Sequence, residues 1–303
     1  GTAAATATST TVTLLVDNPD LSGVATDGSA ALWVASSSGR RWSRITGVNN
    51  TAGVKTVTVA TAYANTESGK SWGIGGKRAT LDASLQLGLD VQAGWTIDIQ
   101  TAQTLTATWR FTPSSATSGI PAKFTSTATT RGSTGSVTGP IISTSTNAVM
   151  GLAIQGTQDV VISGLYFKST AATPGDGIRP GGNVGSIQGI AITDCLIDGF
   201  AIGLGSDDSG GNVAIQGWIL DRVEIKNCTQ AGIRDANFNT FLKMDNCYIH
   251  NNNTSSGDFA GLDCAGVSVA ASNCIFDSNK KYNVRVTTSN LRAVGFVNCV
   301  MTN

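Results

Sequence analysis

The sequence predicts an all-β protein in which a small antiparallel β module precedes a right-handed parallel β-helix. Three observations predict this fold. The composition is rich in small and polar residues and includes 36 glycines, which suits short strands and tight turns. A motif recurs every 24 to 31 residues from about residue 160. The first 78 residues show a different pattern, typical of short antiparallel strands.

Charge and hydropathy exclude several classes of function. The 303 residues carry 20 basic and 20 acidic side chains, and no run of Lys or Arg stands out, so we expect no nucleic-acid partner. No apolar run approaches the roughly 20 residues that span a bilayer, so we expect no membrane insertion. The six cysteines lie in the last third without a C-x-x-C pair. The sequence therefore predicts neither a metal site nor a cofactor.

The repeated motif reads apolar, any residue, Asp, Asn or a small residue, Cys or another small or apolar residue, any residue, apolar. Self-similarity at this period indicates a solenoid, because one repeat cannot bury its own apolar face. Anchored at Gly164, Cys195, Val223, Cys247, Cys274 and Cys299, the copies place four cysteines in one inward-facing column, which we expect to consist of free thiols. The copies occupy residues 162–167, 192–197, 220–225, 244–249, 271–276 and 296–301.

Each coil is expected to contain two or three short strands, of which the later one appears at 177–179, 203–205 and 232–234. Asn227, Asn251 and Asn279 follow the first strand and are predicted to stack as an amide ladder. Less regular coils precede residue 160, with strands predicted at 95–99, 105–109, 122–125 and 140–143. A short amphipathic helix over 82–91 is predicted to cap the first coil, so the β-helix domain is predicted to span 79–303.

The first domain, residues 1–78, is predicted to be an antiparallel meander with Trp33 and Trp42 in its core. An exposed tryptophan pair for docking or sugar stacking is the alternative. Two glycine-rich stretches, 68–71 and 72–78, lack the strand-to-helix setting of a phosphate loop and are predicted to be linker turns. Strands are predicted at 10–16, 31–36, 41–48 and 55–61.

The best catalytic candidates are acidic. Asp207 and Asp208 follow the later strand of one coil, and Asp235 follows the aligned strand of the next, so their carboxyl groups could act as general acid and base on a glycosidic bond. Arg179 and Arg234 are candidate ligands for an acidic sugar. The same acids also suit an ordinary solvated turn. The single histidine, His250, is predicted to lie in an Asn-rich turn, which excludes mechanisms that need two histidines.

Across roughly residues 80–303 the repeats resemble the pectate-lyase-like superfamily of right-handed β-helices. That resemblance implies a pectin-degrading enzyme or a bacteriophage tailspike, fibre or decoration protein. The Asp207-Asp208 pair is similar to that of the polygalacturonase branch, but its Gly-His-Gly and Arg-x-Lys elements have no counterpart here.

A small β module before a β-helix resembles a phage structural protein. We therefore expect a non-enzymatic virion protein on a virion surface or outside the cell. It is expected to mount through residues 1–78 on other virion proteins and to self-associate, with a trimer as the leading arrangement. A polysaccharide depolymerase (glycoside hydrolase or lyase) and a non-catalytic carbohydrate-binding adhesin are the alternatives.

Overall fold

A computed structural model describes this chain at residues 2–5, 10–14, 21, 24, 26, 31–36, 39–51, 55–62, 67–75, 96–99, 102–111, 121–126, 130–131, 137–138, 140–154, 159–180, 189–205, 217–235, 241–255, 257–265, 268–287 and 293–302. The chain divides into two compact units, Gly1–Ala79 and Thr80–Asn303. Within the described ranges every regular element is a β-strand, and no helix there is long and apolar enough to cross a membrane.

The first unit is a closed antiparallel barrel with the strand order β1-β2-β5-β4-β3-β6. Strand β5, Lys-Thr-Val-Thr-Val, alternates buried and half-buried side chains, as a strand with one face on a core does. The barrel core comprises Val12, Leu14, Leu21, Leu32, Val34, Ile45, Val57 and Val59. The strands are β1 Thr2–Ala5, β2 Thr11–Leu14, β3 Ala31–Ser36, β4 Gly39–Asn49, β5 Lys55–Val59 and β6 Glu67–Gly75.

Two predictions for this unit were wrong. Residues 68–75 are not linker turns, because β6 pairs with both β1 and β3 and closes the barrel. The strands do not form a simple meander either, since β2 pairs with β5 and the connection is of the Greek-key type. Trp33 and Trp42 are directly opposite each other on β3 and β4, but their side chains lie outside the described residues.

The second unit is a parallel β-helix, which confirms the predicted fold class. Successive coils contribute strands to three parallel sheets, here called S1, S2 and S3. S1 contains β7 Thr96–Asp98, β10 Ala122–Thr125, β15 Val160–Ser163, β18 Ile190–Thr193, β21 Trp218–Asp221, β24 Phe241–Asp245, β27 Ser268–Ser272 and β30 Val294–Val297. S2 contains β8 Gln103–Thr104, β13 Ile141–Thr144, β16 Tyr166–Ser169, β19 Leu196–Asp198, β22 Glu224–Lys226, β25 Tyr248–His250, β28 Ile275–Asp277 and β31 Val300–Thr302.

Sheet S3 completes each coil with a third strand. It contains β9 Arg110–Phe111, β14 Leu152–Ile154, β17 Ile178–Pro180, β20 Ile202–Gly205, β23 Ala231–Asp235, β26 Ala260–Ala265 and β29 Tyr282–Thr287. A separate hairpin pairs β11 Thr130–Arg131 with β12 Val137–Thr138. The strands predicted at 177–179, 203–205 and 232–234 therefore belong to the third sheet of each coil.

The coils stack in the register that the motif predicts. Backbone hydrogen bonds between neighbouring coils show that the first copy aligns at Leu165 and not at Gly164. The resulting column contains Leu165, Cys195, Val223, Cys247, Cys274 and Cys299. Cys195, Cys247 and Cys274 are buried in the core, and half-buried Cys299 packs against it. The inward-facing cysteine column is confirmed.

One left-handed residue forms the corner between S1 and S2 in six successive coils. Its φ lies between 51° and 67°, a conformation that Gly, Asn and Asp adopt most readily. This explains the Gly, Asp or Asn at the third position of five motif copies, and Arg222 adopts the same conformation in the remaining one. The corner residues are Gly164, Asp194, Arg222, Asn246, Asn273 and Asn298.

A second left-handed corner separates S2 from S3, and it corrects the predicted amide ladder. Asn227 and Asn251 adopt positive φ at this corner, whereas the buried ladder is formed one residue later by Asn252 and Asn279. The Asn252 backbone N–H donates to Asn279 Oδ1 at 3.1 Å, and Asn252 Oδ1 accepts from the Cys228 N–H at 3.0 Å. Buried amides thus satisfy backbone groups that the turn would leave unpaired.

The early coils follow the same plan with one difference from the prediction. The strand predicted at 105–109 is wrong, because β8 ends before this segment and β9 begins after it. Leu105 and Trp109 are nevertheless both buried, so the apolar residues were identified but their local conformation was not. The helix predicted over 82–91 lies outside the described residues.

A column of glycines lets S3 approach the inside of S2. A Cβ atom at Gly203 would lie 2.4 Å from Ile225 Cγ2 and 2.5 Å from the Gly232 carbonyl oxygen. Both distances are far below van der Waals contact, and the carbonyl cannot move without breaking the stack. Gly151, Gly177, Gly232 and Gly261 show similar close approaches.

We predict that Gly203→Ala destabilises the β-helix by about 1–3 kcal/mol, the usual cost of overpacking a core. Gly295→Ala is the matched control, since a Cβ atom there meets nothing within 4 Å. Urea unfolding of both variants measures the difference. Equal midpoints for the two variants would contradict the close packing at Gly203.

Candidate functional site

The acids of the predicted catalytic cluster lie almost entirely outside the residues that the structure describes. Asp207 and Asp208 lie outside the described residues, and so does the side chain of Asp235. The backbone of Asp235 ends β23, in register with Cys264 of the next coil. The three acids therefore stay a prediction.

Arg179 and Arg234 are placed in one column of S3. Ile178 pairs with Leu204 and Gly205 pairs with Arg234, so the two arginines are two coils apart with Gly205 between them. Arg179 Nη1 donates to Asp176 Oδ2 at 2.8 Å. The Arg234 guanidinium lies 5.4 Å from the centre of the Phe259 ring, within the range of a cation–π contact. Both arginines thus have partners within the chain.

The same column continues into an ion-pair network. In the parallel register of S3, Arg234 lies opposite Asp263, and Asp263 lies opposite Arg285. Arg285 Nε donates to Asp263 Oδ1 at 2.9 Å, and Asp258 lies 3.2 Å from Arg285 and 2.5 Å from Lys281. The hydrogen bond from Lys281 lowers the pKa of Asp258. Charges of opposite sign therefore alternate along S3.

A second polar cluster, which the sequence analysis did not identify, lies on the outward face of S2. Ile225 and Ile249 are completely buried, so the alternation of β-strands directs Glu224 and Lys226 outward. Tyr248 belongs to the following coil and lies in register with Glu224. We call Glu224, Lys226, Tyr248 and His250 the S2 cluster.

Hydrogen bonds converge on Glu224 in the S2 cluster. Its Oε1 accepts from Lys226 Nζ at 2.9 Å and lies 3.1 Å from His250 Nε2. The Asn251 amide nitrogen lies 3.0 Å from His250 Nδ1, so Nδ1 accepts from the amide while Nε2 donates to the carboxylate. The Tyr248 and His250 rings stack 3.8 Å apart.

Burial and hydrogen bonding act on the Glu224 carboxyl in opposite directions. Desolvation raises its pKa, because the residue is only 6% exposed. The hydrogen bonds from His250 and Lys226 and the positive charge of Lys226 outweigh this effect, and the net pKa lies below the ordinary value. Glu224 is therefore an ionised acceptor at neutral pH.

Two tyrosines on the same face bind acids of the following coil. Tyr166 donates to Asp198 Oδ2 at 3.0 Å, and Tyr248 donates to Asp277 Oδ2 at 3.4 Å. Burial and the neighbouring carboxylates raise the pKa of both phenols. The Thr302 hydroxyl lowers the pKa of Asp277. These pairs connect one coil to the next and hold the phenols protonated.

The described carboxyl groups with a displaced pKa are suited to accepting hydrogen bonds and not to donating protons. Four described carboxyl groups, those of Glu224, Asp245, Asp258 and Asp277, have a clearly displaced pKa, and all four are lowered. A general acid in glycoside hydrolysis needs a raised pKa. Among the described residues, no group of three or more His, Cys, Asp or Glu side chains could hold a metal ion.

His250 was misplaced by the sequence analysis. It ends strand β25 and does not lie in a turn, and it is 9% exposed. One signal could have revealed the S2 cluster. The fifth motif position holds Leu196, Glu224, Tyr248 and Ile275 in successive coils, so a charged residue stands in a column of mostly apolar residues.

Comparison with known proteins adds little to this description. No protein-family model matches the chain, and no curated protein matches it. Among solved structures, the catalytic domain of GH87 alpha-1,3-glucanase in complex with nigerose matches at 11% identity and a TM-score of 0.16, over 100% of this chain and 88% of that one. A likeness this weak carries no argument about function. The fold itself defines a parallel β-solenoid protein with a small β-barrel.

We predict that Glu224→Gln lowers the unfolding free energy by about 1–3 kcal/mol at neutral pH, because it removes a buried charge-assisted acceptor. A carboxyl whose folded pKa is depressed stabilises the fold above its unfolded pKa of about 4.3, and this contribution is lost as pH falls through the folded value. The difference between wild type and variant should therefore shrink on acidification. Urea unfolding across this pH range, with Lys226→Gln in a double-mutant cycle, measures it. A difference independent of pH would contradict the ionised state of Glu224.

Proposed function

We propose that this chain is a non-catalytic structural and attachment protein, of the kind that bacteriophages mount on the virion surface. The observation that carries this proposal is the pairing of charged side chains between neighbouring coils. Arg222 Nε donates to Asp194 Oδ1 of the preceding coil at 2.7 Å. Arg285 Nε likewise donates to Asp263 Oδ1 of the preceding coil. Side chains used in this way stabilise the solenoid and are poorly suited to proton transfer.

The division into two units also supports this function. A closed barrel presents no free sheet edge, so residues 1–78 are suited to mounting on another virion protein through side chains and loops. The solenoid adds length coil by coil and suits a projecting element. Each coil packs against the coils on either side along the whole solenoid, which makes the solenoid a rigid spacer. The protein is then located on a virion surface or outside the cell.

The alternative is a polysaccharide depolymerase that uses Asp207, Asp208 and Asp235. It needs one carboxyl group with a raised pKa beside an ionised one, and the side chains of the three acids lie outside the described residues. A carbohydrate-binding adhesin that uses Arg179 and Arg234 needs those guanidinium groups to exchange Asp176 and Phe259 for the ligand. The adhesin therefore carries a cost that the structural function does not.

We predict that the purified protein releases neither reducing ends nor unsaturated sugars from host-surface or pectic polysaccharides. The assay is a reducing-end determination together with ultraviolet detection of unsaturated products over a long incubation. Turnover that disappears in Asp207→Asn and in Asp235→Asn, while both variants keep the wild-type unfolding midpoint, would establish the depolymerase instead.

We also propose that the protein self-associates through apolar side chains of its last described coil. Val297, Val300 and Met301 on β30 and β31 are 60%, 50% and 47% exposed. The proposed partner is a second copy of this chain, and a closed trimer is the leading arrangement.

We expect Val297→Lys and Val300→Lys to shift the protein toward monomer in light scattering. Ile219→Lys is the matched control, because Ile219 is 49% exposed on a central coil of S1. A wild-type protein that stays monomeric at high concentration would refute the self-association. Loss of association in Ile219→Lys alone would move the interface to S1.

A further inference from the structure

Three cysteines form a continuous run inside the solenoid. In the column at the corner of S1 and S2, Cys247, Cys274 and Cys299 follow one another in successive coils, connected by the hydrogen bonds Ile275 N to Cys247 O at 2.8 Å and Val300 N to Cys274 O at 2.9 Å. Cys195 occupies the same column but has Leu165 and Val223 as its neighbours. The chain therefore contains a contiguous thiol ladder and an isolated thiol in equivalent surroundings.

The thiols of the ladder lie against the backbone. Each thiol donates to the carbonyl oxygen two residues earlier, at 3.2 Å for Cys247, 3.1 Å for Cys274 and 3.4 Å for Cys299. Cys274 is the middle member of the run, so every adjacent pair of ladder thiols includes it.

The spacing of the coils decides what the ladder can bind. Stacked side chains in parallel strands repeat at about 4.8 Å, whereas a disulfide requires Cβ atoms about 3.8 Å apart and sulfurs about 2.05 Å apart. An ion held linearly between two sulfurs, with metal–sulfur bonds of about 2.3 Å as in zinc sites, needs sulfurs about 4.6 Å apart. The ladder therefore suits a two-coordinate ion better than a disulfide.

We propose that Cys274 and a neighbouring thiol of the ladder bind one soft monovalent cation of the Cu(I) class, which thiolate ligands select. Binding exchanges two thiol protons for two metal–sulfur bonds and leaves the oxidation states of copper and sulfur unchanged. The product has one net negative charge, which favours the Cys274–Cys299 pair, because half-buried Cys299 is nearest to solvent.

Anaerobic titration of the folded protein with Cu(I) against a competing Cu(I) chelator tests this site. Before titration, alkylation of the unfolded protein should modify all six cysteines, as free thiols require. We expect about one Cu(I) per chain, release of protons on binding, and protection of two ladder cysteines from alkylation.

The variants separate the ladder from its surroundings. Cys274→Val should abolish stoichiometric binding, and the fold should tolerate it because Val223 occupies the same column two coils earlier. Cys195→Val is the matched control and should bind as the wild type does. Absence of binding by folded wild type, binding only after unfolding, or equal loss in Cys195→Val would overturn the proposal.

Discussion

The in-register stacking of coils is the constraint on which the rest of this structure depends. A coil of three short strands has no second layer of its own, so its apolar side chains are buried only by the coils above and below. The register Ile162, Ile192, Leu220, Met244, Ala271 and Phe296 shows the result, because each inward position meets its equivalent in the next coil. A shift of one residue in any coil would turn that coil's inward side chains outward.

The corners follow from the same constraint. A coil can return to its starting position only if the chain turns sharply without leaving backbone groups unpaired, and single left-handed residues followed by continued ladder bonds achieve this. Asn246 shows both parts: its φ is 53°, and its N–H still donates to Ser272 O in the next coil. The glycine column meets a different requirement, because S3 there approaches S2 too closely for any Cβ atom.

This distinction explains how much of the molecule could be predicted from its sequence. The period, the cysteine column and the third-strand segments were predictable, because stacking imposes similar residues at equivalent positions. The barrel closure through β6 was not, since Glu67–Gly75 is glycine-rich and its pairing partners are distant in sequence. The S2 cluster was missed for a third reason. Glu224, Lys226 and His250 meet only when coils 24 residues apart stack, and each residue alone looks like an ordinary exposed side chain.

Stacking also limits what polar residues in the solenoid can do. A carboxylate placed on an outward column lies within about 5 Å of the equivalent positions of two neighbouring coils, so its pKa is set by whatever those coils present. Here they present His250 to Glu224, Arg222 to Asp194, and Arg285 to Asp263, while Lys226 reaches Glu224 from the same strand. Hydrogen bonds from His250 and Lys226 lower the pKa of Glu224, and removing one partner leaves a partly buried charge uncompensated. A catalytic acid in such a column would need an apolar or like-charged neighbour in the adjoining coil and few hydrogen-bond donors to its ionised form. Asp221 and Asp245 do stack as like charges, but hydrogen bonds from Asn273 and Ser272 lower the pKa of Asp245.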